Sequence, residues 1–120
     1  MHTGDEMPVV DENASLSEAL LEMSRKGLGM TAVVDGQGKV TGIFTDGDLR
    51  RALDQKVDVH KATIRQMMTV GGKSARPGIL AAEALHMMEE FRINALLIVD
   101  DKQRLLGVLN MHDLLRAGVV

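Results

Sequence analysis

From Leu16 to Met23 the apolar residues Leu16, Ala19, Leu20 and Met23 recur at intervals of three and four, the spacing of one helix face. A helix over about 16 to 26 follows, opened by the capping box Ser15-Leu-Ser-Glu18 and stopped at Gly27. The period then changes. Met30 to Val34 is a continuous apolar run too short for a helix, and Val40 to Phe44 is a second. Turn residues Asp35-Gly-Gln-Gly38 lie between them, so the two runs are predicted to be the strands of a hairpin. Thr45 follows directly, with Asp48 three residues on and Leu49, Ala52 and Leu53 beyond. This is a capping-box variant with Asp in the place of Glu or Gln, and it predicts a helix over about 46 to 54.

The same pattern is written again. With Asp35 placed on Asp100, Ala14 to Arg51 aligns without a gap on Ile79 to Arg116, and Glu18-Ala-Leu20 falls on Glu83-Ala-Leu85. Met23 falls on Met88, Gly42 on Gly107, Asp48-Leu49 on Asp113-Leu114 and Arg51 on Arg116. The chain is an internal duplication. Its second copy predicts a helix over about Leu80 to Glu90, strands near Ala95 to Val99 and Leu105 to Leu109, and a helix after Asn110. Thr63-Ile-Arg-Gln66 is expected to cap a short connecting helix, and Val70 to Gly78 to be a loop. Units of about 50 residues are marginal alone. The expectation is therefore an α+β fold of two repeats, residues 1–62 and 63–120, related by a pseudo-twofold and packed sheet against sheet around one shared core.

Composition narrows the function. A formal net charge of −3 and a pI near 5.7 argue against a broad nucleic-acid surface, which needs clustered Lys and Arg, while leaving room for a nucleotide. With no cysteine, disulfides and thiolate chemistry are excluded. No apolar run approaches the roughly 20 residues of a membrane span, and the N-terminus carries no signal pattern, so a cytoplasmic location and no membrane partner are expected. Nine Met against two Phe leaves little for base stacking, and Met at helical spacing reads as core or interface filler.

Most candidate chemistry dissolves on inspection. Gly71-Gly-Lys-Ser74 resembles the tail of a phosphate-binding loop, but the required earlier glycine is Met67, so the segment reads as a linker. His2, His60, His86 and His112 have no metal-ligand spacing, and Ser15, Ser17, Ser24 and Ser74 no nucleophile context. No catalytic constellation and no metal site is expected. What remains is the strand-to-helix corner. A strand that ends in a small hydroxyl residue and opens a helix aims backbone N–H groups at one point, which suits a phosphate. Thr45 could add a hydroxyl there, and Asp48 could accept from a ribose diol. Capping alone accounts for that pair in the first copy, but less well for Asp113, where the cap has become Asn110.

Two copies of helix, strand, strand, helix, each with Gly-apolar-apolar-Thr-x-x-Asp or a close variant, resemble a pair of CBS domains, also called a Bateman module, over essentially the whole chain. The resemblance implies phosphate contact by the Thr, ribose contact by the Asp, and a base framed by backbone around the first core strand. It implicates Thr45 and Asp48 with Met30 and Thr31 in the first copy, and Asn110 and Asp113 with Asn94 and Ala95 in the second. Asn110 departs from the pattern, and His112 is expected to supplement phosphate contact there; one ligand per chain is the expectation.

The runs Met1-His-Thr-Gly-Asp-Glu6, Leu28-Gly-Met-Thr31, Gly42-Ile-Phe-Thr-Asp-Gly-Asp-Leu-Arg-Arg51, Arg76-Pro-Gly-Ile79 and Met111-His-Asp-Leu-Leu-Arg-Ala-Gly-Val-Val120 further resemble the C-terminal part of bacterial arabinose-5-phosphate isomerases. That resemblance implies a regulatory module that is no enzyme itself. Its parent chain would carry an N-terminal sugar isomerase domain, interconverting ribulose 5-phosphate and arabinose 5-phosphate on the way to Kdo for lipopolysaccharide, and Met1 would be an internal residue. The implied ligands are AMP, ATP or CMP-Kdo, with no cofactor required and self-association through a CBS-pair dimer. The alternative is a ligand-free assembly module of the same enzyme.

Overall fold

The structure, a computed structural model, describes residues 3–71 and 73–116; His2, Gly72 of the Gly71-Gly-Lys-Ser74 segment and the end of the 111–120 run lie outside the described residues. The chain divides into two compact units, Pro8–Gly72 and Lys73–Val120 together with Met1–Met7.

The first unit runs β1 (Val9–Asp11), α1 (Leu16–Lys26), β2 (Met30–Val34), β3 (Val40–Thr45), α2 (Asp46–Asp54), α3 (Ile64–Met67) and β4 (Thr69–Val70). Its sheet has the order β1-β2-β3-β4, with β1 parallel to β2 and the other neighbours antiparallel. Helix α1 forms where its apolar spacing predicts. Ser15 Oγ accepts the Glu18 N–H at 3.2 Å, and Gly27 turns left-handed at φ 70° so that its N–H reaches the Met23 carbonyl. The face so presented buries Leu16, Ala19 and Met23 against Val33, Phe44, Ala52 and Ile64.

The second unit runs β5 (Ser74–Ala75), α4 (Ala81–Phe91), β6 (Ala95–Val99), β7 (Leu105–Asn110) and α5 (Met111–Arg116), with sheet order β5-β6-β7 and β5 parallel to β6. Ala84, Leu85, Met88, Leu96 and Leu114 form its core. The α+β class and the helix, strand, strand, helix plan thus hold in both units. Both hairpins carry the same register shift, between Val33 and Val34 and between Ile98 and Val99. Both turns are tied by one carboxylate: Asp35 Oδ1 accepts the Gln37 and Lys39 N–H groups at 2.8 and 3.0 Å, and Asp100 Oδ1 those of Lys102 and Arg104 at 2.8 and 2.9 Å. These bonds stabilise the charged form and hold both carboxyls below the ordinary aspartate value.

The predicted loop from Val70 to Gly78 needs correction, because it holds the end of β4 and all of β5. Strand β1 was also not legible beforehand. Edge strands of two or three residues bond through backbone alone and leave no alternation of side chains to read. The duplication is imperfect at the ends of the long helix. Position 92, aligned with Gly27, is an arginine held left-handed at φ 56°, and Leu80, aligned with the Ser15 cap, makes no side-chain cap bond. Among the described residues no helix is long and apolar enough to cross a membrane.

Candidate functional site at the strand-to-helix corners

In the first unit β3 runs into α2 without a spacer, because Thr45 is both the last strand residue and the helix N-cap. Its N–H donates to Asp48 Oδ2 at 2.9 Å, while its Oγ1 lies 3.2 Å from the same oxygen and accepts the Asp48 N–H at 3.4 Å, a reciprocal capping box. Asp48 is only 2% exposed. Its other oxygen, Oδ1, accepts from the Arg51 guanidinium one turn on and from Thr69 Oγ1 of β4 at 3.0 Å. A carboxylate offers about four acceptor positions, and here four donors address it.

Thr69 can reach Asp48 because β4 lies very close to β3. A Cβ on Gly42 would stand 2.7 Å from the Thr69 carbonyl and 2.6 Å from Met68 Sδ, so only glycine fits there. Met30 sits opposite Thr45 in the β2–β3 ladder and shares its face. Thr31, by contrast, pairs with Phe44 on the other face, fully buried, and its hydroxyl donates to the Ala32 carbonyl at 3.2 Å. Three of the four first-copy candidates therefore gather at the corner and Thr31 does not.

The second corner has the same backbone and different side chains. Asn110 ends β7, and its N–H donates to Asp113 Oδ2 at 3.2 Å, as Thr45 does to Asp48. Its side-chain oxygen accepts the His112 N–H at 2.8 Å, a shorter loop than the threonine makes, because the amide reaches one atom further. Asn110 is 6% exposed and Ala95, its partner across the β6–β7 ladder, 7%. The Asn94 carbonyl accepts the Met111 N–H at 2.8 Å, matching Gly29 and Asp46 in the first unit at 3.2 Å. The His112 side chain is exposed and Asp113 half-buried. Asn94, Ala95, Asn110, His112 and Asp113 are thus brought together.

A cleft of about 310 Å³ in the second unit is lined by Arg76, Pro77, Gly78 and Ile79 of the β5–α4 connection, with Ala81, Ile98, Leu109 and Leu114. Leu109 and Leu114 are chain neighbours of Asn110 and Asp113, but alternation along β6 and β7 puts Ile98 and Leu109 on the face opposite Ala95 and Asn110, so the cleft lies on the helix side of the sheet. The Arg76 guanidinium, at the start of that connection, pairs with the Asp101 carboxylate. The sequence places Arg76 to Gly78 in the predicted loop and Ile79 at the start of the second copy, and Arg76-Pro-Gly-Ile79 entered only through the resemblance, with no site role. Pro77-Gly78, with Gly78 at φ 92°, was the available signal of a shaped turn ahead of a helix.

Comparison with known proteins places this geometry. The CBS domain profile matches residues 1–55 and 64–120. The arabinose 5-phosphate isomerase KdsD of Pseudomonas aeruginosa is 61% identical over 120 residues, all of this chain and 37% of that protein. The protein of the same name from Escherichia coli K12 is 57% identical over the same 120 residues, which are 36% of its length. The chain therefore spans a little over a third of these curated relatives. Among solved structures, the CBS domain pair of protein MJ0100, in complex with 5′-methylthioadenosine and S-adenosyl-L-methionine, superposes with a TM-score of 0.84 at 26% identity, covering 98% of this chain and 91% of that one. CBSX2 in complex with AMP shares the fold at TM-score 0.83 and 22% identity, over 99% of this chain and 92% of that one. With two matched segments, two copies of one plan and two equivalent corners, the chain belongs to the CBS domain family and is a CBS domain pair.

Proposed function

We propose that this CBS pair is the nucleotide-sensing regulatory module of an arabinose-5-phosphate isomerase, working in the cytoplasm in Kdo and lipopolysaccharide biosynthesis. The observation that carries the proposal is the second strand-to-helix corner, where Asn94, Ala95, Asn110, His112 and Asp113 come together at the start of a helix. A base would be framed by Asn94 and Ala95. The side chains of Asn110 and His112 would meet the phosphate, and Asp113 the ribose. Thr45 and Asp48, with Met30 and Thr31, are the first-copy candidates, and a ligand at either corner would displace bonds already made.

The ligand class is a nucleotide or nucleotide sugar: AMP, ATP, or CMP-Kdo as a feedback signal. The complex of MJ0100 with two adenosine-containing ligands, on a chain 26% identical, supports the class. In the parent chain an N-terminal sugar isomerase domain would do the chemistry. A ligand preferring one arrangement of the pair would shift that domain's state by its difference in affinity.

A thermal-shift series with AMP, ATP, CMP and CMP-Kdo tests this. Ligand at 100 times its dissociation constant adds about 2.7 kcal/mol of stability, and Asp113→Ala should abolish the shift. No shift with any of the four would sink the proposal. A second reading, a ligand-free assembly module, is favoured by Leu21, Leu53, Leu80 and Leu115, helix or helix-end residues each at least 45% exposed. Such surface would be covered in a dimer. Sedimentation decides it: a monomer at micromolar concentration would refute assembly.

A further inference from the structure

The Asp48 carboxylate divides its work between two unequal oxygens. Oδ2 is held by the N–H and hydroxyl of Thr45, groups fixed by the strand end and the helix cap. Oδ1 is held by Arg51 and Thr69, whose side chains stand on exposed residues and can turn to water. Asp48, buried to 2% exposure, cannot follow them.

Thr69 opens β4, the last strand before the chain passes into the second unit. That strand is an edge of two residues, paired with β3 only through Gly42↔Val70 and Ile43↔Thr69, with the Gly71 N–H on the Thr41 carbonyl at 3.2 Å closing its end. So short a ladder is marginal, and a side-chain bond to a buried carboxylate is a large fraction of what holds it.

We infer that the Thr69–Asp48 bond is a latch: it ties the segment between the repeats to the first corner, and a hydroxyl-bearing ligand that takes the place of Thr69 on Asp48 Oδ1 opens it. Occupation of Oδ1 by a ligand hydroxyl releases β4, so the first corner signals through the chain connection.

Amide hydrogen exchange followed by NMR on the full 120-residue chain tests the latch without any ligand. In Thr69→Val, which keeps the shape and removes the donor, the Gly71 amide should exchange about fivefold faster, the worth of one net hydrogen bond. The amide of Gly27 should be unchanged, and Thr69→Ser should restore the slow rate. Equal Gly71 exchange in wild type and Thr69→Val, or a Thr69→Ser variant as fast as the valine, overturns the latch. AMP then serves as the ribose-bearing probe. It should shift the Thr45 and Asp48 amides at about fivefold lower concentration in Thr69→Val than in wild type; an unchanged or higher concentration overturns the latch. The exchange comparison contains no nucleotide, so a chain that ignores AMP counts against the proposed function while Gly71 still decides the latch.

Discussion

The two corners share a backbone and diverge in what their acids hold. Asp48 is almost fully buried and receives bonds from its own cap, its own helix and a neighbouring strand. Asp113 is half-buried at a corner whose cap has become Asn110, whose N–H it accepts. The residue is the same and so is the place on the helix. What differs is the third strand: β4 brings Thr69 to the first corner, whereas the described part of the second sheet ends with β7. Duplication thus supplied two corners of one backbone plan, and at the first the packing of β4 has added a bond from Thr69 to the acid.

The largest expected effect comes from breaking the first corner. Asp48→Ala leaves the Thr45 N–H and the Thr69 hydroxyl without their acceptor and should cost about 2 to 3 kcal/mol in urea denaturation. Asp113→Ala, which loses the Asn110 bond at a more open site, should cost about 1 kcal/mol or less. Equal costs would erase the distinction between the corners. Gly42→Ala attacks the same difference through the strand, since a Cβ 2.7 Å from the Thr69 carbonyl forces β4 away; a loss of about 1 to 3 kcal/mol is expected, with faster exchange at Gly71.

Two substitutions should make the second copy more like the first. Leu80→Ser installs the cap that Ser15 provides in α1 and should stabilise by about 1 kcal/mol. Arg92→Gly relieves a left-handed residue where the first copy has Gly27 and should add about 0.5 to 1 kcal/mol. Paired thermal melts of each variant against wild type check both signs.

The smallest effect concerns what the repeats have in common. The Asp35 carboxyl is held low chiefly by the Gln37 N–H, then that of Lys39, and the Asp100 carboxyl chiefly by the Arg104 N–H. Their folded pKa values lie below the unfolded value of about 3.9, so in that range the unfolded chain binds more protons. The stability they contribute is complete above about pH 4 and is lost as pH falls through the lowered folded values. A double Asp35→Asn, Asp100→Asn variant should therefore show a shallower acid limb in its denaturation midpoint against pH. An unchanged limb would place acid sensitivity elsewhere.

Much of this was open to reading before any coordinates. Helix α1 follows from Leu16, Ala19 and Met23 with caps at both ends, and both hairpins from apolar runs around an Asp-initiated turn, because these signals lie within a few residues of each other. The capping box of Thr45 and Asp48 was visible for the same reason. Its saturation was not. Thr69 lies 21 residues from Asp48 and meets it only because Gly42 lets two strands close up. The resemblance named Thr31 with Met30 for backbone that frames a base, and the fold puts their side chains on opposite faces of β2. The Arg76 to Ile79 wall of the cleft was hidden likewise, since its partners Ile98, Leu109 and Leu114 come from elements far along the chain.

The sequence by itself determined the duplication and the order and type of the main elements, because periodicity, caps and turns are local physics repeated at a constant spacing, and its motifs carried the family resemblance. Only the tertiary structure decided that Thr69 of β4 bonds the Asp48 carboxylate. That depends on what a distant strand brings within hydrogen-bond reach, and no pattern of neighbouring residues encodes it.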